Sequence, residues 1–307
     1  MTLDLSEARE KRLRELLRDR FIAHRGGDTR ADCLTGAVMP ENSLAAFEQT
    51  AKRAKEKQQN MVVETDVMRC KDGFAIVHGD TGRNGKLDCW LGKITDKKGY
   101  VQDYTLSELQ SVRMGIRAYD WLKTIRPCLK HTLEKTTILS LESCLQHVLL
   151  ELGLGLQLEI KSVENAQNDG KDIATLINRI IPPDHPARIK ICVLSSDREV
   201  LAGFRSISPD VPLGWLVKSV KSPYKKSNVF TDDWNKFVSH PIKAPGEYDH
   251  IHFAEAHGLS PAIAGALPVL FIVGGCNDAA VAQRMLDLGA LAVGADNMAV
   301  HDAIREK

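Results

Sequence analysis

The stretch from residue 60 to residue 80, NMVVETDVMRCKDGFAIVHGD, decides what fold and what chemistry to expect of this 307-residue chain. Residues 61–63 are apolar and mostly β-branched, which favours a strand that is buried on both faces. Glu64 and Asp66 follow two positions apart, so their side chains leave an extended chain on the same face. Two ionised carboxylates held side by side repel each other unless a cation or a shared proton compensates.

The second half of the stretch turns back towards these carboxylates. Lys-Asp-Gly at residues 71–73 is a turn signal, and residues 74–77 are typical of a return strand that ends at His78. A site for a hard cation is therefore expected close to an imidazole. That combination indicates chemistry rather than scaffold.

Strand-like and helix-like segments alternate along most of the chain. Further strands are predicted at residues 21–23, 156–161, 189–194, 211–217, 250–253, 269–273 and 291–293. Helices are predicted from Asp4 to about Asp19, after residues 40–43, at 105–112, 141–152 and 173–180, after Asp197, and at 278–288 behind an Asn277 cap.

A right-handed succession of such units gives parallel sheet, and about eight strands close a barrel. The expected fold class is therefore α/β, a (β/α)8 TIM barrel with an N-terminal helix and an irregular insertion at about residues 81–137, after the second strand. We expect residues 1–307 to form a single domain. A doubly wound open sheet is the competing fold, but no G-x-G-x-x-G motif follows the first strand.

The composition excludes several classes of protein. With 41 basic and 40 acidic residues the formal net charge is +1, which predicts no nucleic-acid partner. The 7 cysteines lack metal-type C-x-x-C spacing and favour reduced thiols. The most apolar run, residues 259–276, is interrupted by prolines and glycines, so no membrane span is predicted. A cytoplasmic protein is expected, and its oligomeric state stays open.

Charged residues follow three of the predicted strands, where an α/β barrel assembles its active site. They are His24, Arg25, Glu64, Asp66, Glu159 and Lys161. Taken singly, each has an ordinary structural explanation, such as a scaffold histidine or a member of a surface ion pair. Their joint placement at strand ends favours a functional site. Three carboxylates in one opening suit Mg²⁺ or Ca²⁺, which prefer oxygen ligands.

These residues belong to a longer series of motifs. The series is His24-Arg25-Gly26, Pro40-Glu41-Asn42-Ser43, Glu64-Thr65-Asp66, Asp72-Gly73, His78 and Leu158-Glu159-Ile160-Lys161. It resembles the glycerophosphodiester phosphodiesterase family, within the PLC-like phosphodiesterases, from about residue 20 to the C-terminus. The resemblance implies a (β/α)8 barrel with one divalent cation, Mg²⁺ or Ca²⁺.

The resemblance also implies a role for each matched residue. Glu64, Asp66 and Glu159 would hold the cation, and Arg25 and Lys161 would neutralise the phosphodiester. His24 and His78 would be the acid–base pair of a reaction that passes through a cyclic phosphate. The implied substrate is a small phosphodiester. Further pocket candidates are Glu41, Asn42, Asp80, His252, Glu255 and His257.

The chain departs from the family pattern around the expected substrate. Asp80 does not directly follow His78, and the loop at residues 26–39 is longer than usual. The strand end at residues 273–277, VGGCN, lacks the aromatic residue that is usual there. A polar loop at residues 218–248 follows a predicted strand, and it is either a specificity lid or a surface insertion.

The function expected on these grounds is a metal-dependent phosphodiesterase for a glycerol- or sugar-based phosphodiester. An opine phosphodiesterase of the agrocinopine type, acting on sugar–phosphate–sugar diesters, is one alternative. A phospholipase of the sphingomyelinase D type needs an apolar rim, whereas the 218–248 loop is polar. A non-catalytic phosphosugar-binding barrel predicts the loss of a catalytic group, but both histidines and all three carboxylates are present.

Overall fold

A computed structural model describes residues 4–27, 39–77, 99–111, 136–162, 164–217, 248–254, 264–265, 267 and 270–305. Within these ranges nine strands form one sheet. They are β1 (Phe21–Ala23), β2 (Val62–Arg69), β3 (Phe74–Val77), β4 (Gly155–Lys161), β5 (Ile191–Ser195), β6 (Leu213–Val217), β7 (His250–Phe253), β8 (Leu270–Val273) and β9 (Ala292–Ala295).

Eight of these strands close into a parallel barrel. Their order around the ring is β1, β2, β4, β5, β6, β7, β8 and β9, and β9 returns to pair with β1. The strand β3 stands outside the ring as an antiparallel partner of β2. The predicted (β/α)8 barrel is confirmed, and its C-terminal strand ends form one face, as this fold requires.

Eight helices flank the sheet in the described parts of the chain. They are α1 (Leu5–Leu16), α2 (Leu44–Glu56), α3 (Leu106–Gln110), α4 (Leu141–Cys144), α5 (Ala166–Ile180), α6 (Arg198–Ile207), α7 (Ala279–Asp287) and α8 (Met298–Arg305). A π-helical segment, Leu145–Glu151, continues α4. None of these helices has the length and apolar character needed to cross a bilayer.

The helix ends require three corrections. α1 ends at Leu16 rather than near Asp19, and α5 begins at Ala166, well before the predicted residue 173. The cap of α7 is Asp278, whose Oδ1 accepts hydrogen bonds from the backbone N–H groups of residues 280 and 281. Asn277, the predicted cap, has its side chain engaged with Asp296 instead.

The strand β2 is longer than predicted, and this corrects the placement of the two acidic residues. It continues through Glu64 and Asp66 to Arg69, because its far half finds partners on both edges. The strand β4 pairs with one edge of β2. The other edge pairs first with β1 and then, from Asp66 onwards, with β3, where Asp66 lies opposite Val77. Both carboxylates therefore lie inside a paired strand, which fixes their direction more firmly than a strand end would.

The N-terminal helix covers the end of the barrel opposite the C-terminal strand ends. Leu13 and Leu16 of α1, and Leu17 directly after it, pack with inward-facing apolar residues of the barrel, among them Val62 and Ile272. A Cβ at Gly155 would crowd the side chains of Leu16 and Val62, so glycine lets the helix approach the strand closely.

Buried ion pairs fix α1 at this position. Asp249, which directly precedes β7, accepts from Arg9 Nε of α1 at 2.8 Å and from Arg205 at 2.7 Å. It also accepts from the backbone N–H of Leu213 at 2.8 Å. Asp249 is only 5% exposed, and Arg9 only 7%. Removing one member of such a group leaves buried charge without compensation.

We therefore expect Asp249→Ala to destabilise the fold by about 3–5 kcal/mol, the usual cost of breaking a buried charge network. Urea unfolding followed by circular dichroism measures this change. The control is Glu10→Ala, which removes the partner of Arg14 in a half-exposed pair on the same helix. Exposed pairs contribute about 1 kcal/mol or less. Equal losses in the two variants would contradict the structural role given to Asp249.

Candidate active site

The turn that follows β1 places His24 and Arg25 at the C-terminal face of the barrel. Residues His24–Gly26 form one 3₁₀ turn, in which Arg25 has φ 54° and ψ 29°. This left-handed conformation is unfavourable for a residue with a side chain. Two hydrogen bonds hold it: the backbone N–H of Arg25 donates to Glu64 Oε2 at 3.1 Å, and its carbonyl accepts from the N–H of Asn42 at 2.9 Å.

Three carboxylates meet beside this turn. Glu64 and Asp66 come from β2 and Glu159 from β4, and the register of the two strands sets Asp66 beside Glu159. One oxygen from each carboxylate lies within 4.8 Å of the others. The residues are 4%, 1% and 8% exposed. The predicted metal ligands are thus brought together in a buried cluster of oxygen donors.

Lysine 161 lies between two of these carboxylates. Its Nζ is 2.7 Å from Asp66 Oδ1 and 2.5 Å from Glu159 Oε1. Burial lowers the pKa of Lys161, but Asp66 and Glu159 outweigh it, and the pKa is raised. Burial likewise raises the pKa of Asp66, yet Lys161 and Arg25 hold it below its ordinary value. Both groups are therefore charged at neutral pH.

Glutamate 64 is the carboxylate that the protein's own cations compensate least. Burial, followed by the charge of Asp66, raises the pKa of Glu64 to about 8. Among the described side chains that meet here, five carboxylates face three cationic groups, which gives an excess of two negative charges when all five carboxylates are ionised. The groups are Glu41, Glu64, Asp66, Glu159 and Asp296 against His24, Arg25 and Lys161. Oxygen donors with this excess fit a hard divalent cation.

Glu41 and Asn42 precede α2, and their side chains bind two residues of the site, Arg25 and Asp66. Glu41 Oε2 accepts from Arg25 Nη1 at 2.5 Å. Asn42 is fully buried, and its Nδ2 donates to Asp66 Oδ2 at 2.8 Å and to the carbonyl of Val77 at 2.6 Å. Asn42 is therefore placed to orient Asp66 and to link β3 to β2.

His24 is oriented by a carboxylate that the sequence reasoning missed. Its Nδ1 lies 2.5 Å from Asp296 Oδ1, while its Nε2 lies 3.7 Å from Glu64 Oε2. Burial lowers the pKa of His24, but Asp296 and Glu64 outweigh burial and raise it to about 9. Burial in turn raises the pKa of Asp296, and the charge of His24 holds it well below its usual range.

Asn277 holds Asp296 in place. Its Nδ2 donates to Asp296 Oδ2 at 2.9 Å, and its Oδ1 accepts from the backbone N–H of Asp296 at 2.7 Å. The sequence holds a signal for Asp296, because it lies just after the last predicted strand, residues 291–293, and directly after the observed β9. The rule that singled out Glu159, a polar residue at a strand's C-terminal end, applies to it equally.

Comparison with known proteins agrees with this geometry. The sequence profile of the glycerophosphoryl diester phosphodiesterase family matches residues 24–299. The chain belongs to this family. Membership places it among the phosphoric diester hydrolases, as the motif series predicted. A curated glycerophosphodiester phosphodiesterase of Caldanaerobacter subterraneus subsp. tengcongensis is 33% identical over 97 residues, and the match covers 31% of each chain.

Solved structures share the barrel. A phosphodiesterase of Oleispira antarctica, solved with its product sn-glycerol-3-phosphate, superposes with a TM-score of 0.64 at 21% identity. The match covers 93% of this chain and 96% of that one. A glycerophosphodiester phosphodiesterase of Agrobacterium tumefaciens str. C58 gives a TM-score of 0.59 at 18% identity, covering 93% and 98%.

Several predicted site residues of this glycerophosphoryl diester phosphodiesterase family member lie outside the described residues. They are His78, Asp80, Glu255 and His257, together with nearly all of the loops at 26–39 and 218–248 and most of the 81–137 region. Val77, which precedes His78 in the chain, pairs with Asp66. Among the remaining pocket candidates, His252 is described and buried on β7.

Proposed function

We propose that the chain is a metal-dependent phosphodiesterase that cleaves a glycerol- or sugar-based phosphodiester. The observation that carries this proposal is the buried group of Glu64, Asp66 and Glu159 beside Lys161 and Arg25 at the C-terminal face. Phosphodiester cleavage develops negative charge on phosphoryl oxygens, and a clamp of cationic groups stabilises that charge. Family membership supports the same reaction class.

Glu64, Asp66 and Glu159 would hold the divalent cation, as the sequence motifs imply. When bound, the cation supplies positive charge at the phosphoryl oxygens of the substrate. The protein adds two fixed cationic groups. Lys161 stays charged because two carboxylates surround it, and Arg25 is positioned by Glu41 and by its strained turn. Contacts within the protein therefore hold both cationic groups beside the carboxylate cluster.

His24 would exchange a proton through Nε2. Asp296 occupies Nδ1, so Nε2 is the ring nitrogen left for the substrate. The ring is 31% exposed, which gives a ligand access to it. We propose His24 and His78 as the acid–base pair, with a neighbouring hydroxyl of the substrate as nucleophile and a cyclic phosphate as intermediate. Water then opens the cyclic phosphate.

The substrate class rests on one structural neighbour. The Oleispira antarctica phosphodiesterase was solved with sn-glycerol-3-phosphate, a product that a glycerol-based phosphodiester yields. We therefore propose a glycerophosphodiester as substrate, with Mg²⁺ or Ca²⁺ as the cation. Agrocinopine-type diesters and a phospholipid headgroup are the alternatives that the assay below separates from it.

Turnover assays test this function. We expect the protein to hydrolyse glycerophosphocholine and 2-hydroxypropyl p-nitrophenyl phosphate, since both carry a hydroxyl next to the phosphoryl group, and to lose at least about 10²-fold in rate when chelated, because a catalytic cation is worth several kcal/mol. Adding Mg²⁺ or Ca²⁺ should restore the rate. Sphingomyelin and a sugar–phosphate–sugar diester are assayed in parallel. Binding of glycerol 3-phosphate without turnover of any diester would instead support the phosphosugar-binding barrel.

A further inference from the structure

On one side of the site, two neighbouring positions of the inner barrel wall are glycines and carry no side chain. Gly274, directly after β8, and Gly294, on β9, are adjacent inward-facing positions: a Cβ on Gly294 would lie 3.5 Å from the Cα of Gly274. This is the strand end where the family pattern predicts an aromatic residue. The imidazole of His252 borders this space, because a Cβ on Gly274 would lie 3.0 Å from its Nε2.

The ring of His252 is buried but lacks part of its hydrogen bonding. The residue is 7% exposed, and its Nδ1 has no hydrogen-bond partner among the described residues. Burial, followed by the charges of His250 and His24, lowers the pKa of His252 to about 3. The ring is therefore neutral at physiological pH and offers one donor and one acceptor. A hydroxyl group, which can both donate and accept, matches this chemistry.

His252 also lies on the side of the barrel where the proposed chemistry takes place. The strand β7 is parallel to β8, and Gly274 N–H donates to the carbonyl of Phe253, the last residue of β7, at 2.7 Å. The charge of His24 acts on the imidazole of His252. His250 differs, because it is fully buried one layer deeper, where a Cβ on Gly214 would come within 2.3 Å of its Nε2.

We propose that His252 is a specificity-determining residue, which hydrogen-bonds a hydroxyl of the glycerol or sugar part of the substrate in the space that Gly274 leaves open. This inference rests on the proposed phosphodiesterase function. It adds a polar subsite that selects diesters with a further hydroxyl group over diesters that carry only the nucleophilic hydroxyl. A site built to hydrogen-bond a hydroxyl discriminates strongly against ligands that lack one.

The test compares two substrates in two variants. For His252→Leu we expect kcat/KM on glycerophosphocholine to fall about 10- to 100-fold, the usual effect of losing a hydrogen bond to a bound hydroxyl. On 2-hydroxypropyl p-nitrophenyl phosphate, whose one hydroxyl group is the nucleophile, the change should stay within about 3-fold. Gly274→Ala retains His252 but places a methyl group against its Nε2. It should lower the ratio of the two kcat/KM values in the same direction.

The control is His250→Leu, which removes a buried imidazole from the same strand. It should leave the substrate ratio unchanged, because His250 lies one layer below Gly274 and the proposed subsite. Equal losses on both substrates for His252→Leu and Gly274→Ala would show a structural role and overturn the proposal. Unchanged kcat/KM values on both substrates would also overturn it. If the wild-type protein turns over neither diester, the proposed function itself fails, which is a different and separately visible result.

Discussion

Replacing Glu64 by glutamine is expected to lower kcat by about 10³-fold, because the variant loses one charged ligand of a cation worth several kcal/mol to the reaction. Glutamine keeps the shape of the side chain, and its carbonyl can still accept the hydrogen bond from the N–H of Arg25 that Glu64 Oε2 accepts now. The fold should therefore persist. What changes is the charge of the cluster.

The same substitution has an informative effect on stability. Burial and the neighbouring Asp66 raise the pKa of Glu64 to about 8, so its ionised form is unfavourable in the folded protein without a cation. A neutral amide removes that cost. We therefore expect the chelated variant to be at least as stable as the chelated wild-type protein. At a hundredfold excess over Kd, a cation stabilises the wild-type protein by about 2.7 kcal/mol, and the variant by less.

Thermal unfolding with and without Mg²⁺ or Ca²⁺ measures both effects. The control is Glu142→Gln on α4, which neutralises a half-exposed carboxylate paired with Arg179, far from the cluster. It should retain the activity and the metal-dependent rise in melting temperature. Full activity in exhaustively chelated wild-type protein would rule out the catalytic cation and the ligand role of Glu64 with it.

The sequence predicted the parts of the site that local rules govern. Glu64 and Asp66 were placed on one face because side chains alternate along a strand, and that rule holds wherever β2 ends. Glu159 and Lys161 joined them because parallel strands bring their carboxyl ends to one face. These inferences needed only spacing and strand order, and the structure brings all four residues together.

The residues that orient the site depend on contacts distant in sequence. Asn277 looked like a helix cap because asparagine is favoured there. Its two hydrogen bonds to Asp296 arise only because β8 and β9 are neighbours in the barrel. Asn42 holds Asp66 across a separation of 24 positions, which no local pattern encodes. The length of β2 was underestimated because β3 supplies its final partner.

Asp296→Asn is expected to lower kcat by about 10²–10⁴-fold, the range that general acid–base catalysis contributes. Asparagine has nearly the same size, but it lacks the charge that favours protonated His24. Its amide can also turn its NH₂ group towards Nδ1 and favour the wrong tautomer of the ring. Asn277→Ala removes both side-chain bonds that hold Asp296 and should cause a smaller loss of the same kind.

The pH dependence separates this role from a purely structural one. Asp296 raises the pKa of His24 towards about 9, so removing its charge must lower that pKa. The limb of the kcat/KM profile that reports His24 should therefore move to lower pH in Asp296→Asn. The control Asp302→Asn removes a carboxylate that pairs with Arg53 on α2 and with Lys57 directly after that helix, and it should leave the profile in place.

A double-variant comparison decides whether Asp296 acts through His24. If it does, adding Asp296→Asn to His24→Ala should cost much less than it costs the wild-type enzyme, because residues that act as a unit are not additive. A purely structural effect of Asp296 would be felt whether or not the ring is present, and the two losses would multiply. If the losses of the two substitutions multiply and the pH profile of Asp296→Asn does not move, Asp296 does not orient His24 for catalysis. Non-additive losses together with a shifted limb would show that Asp296 acts on the reaction through His24.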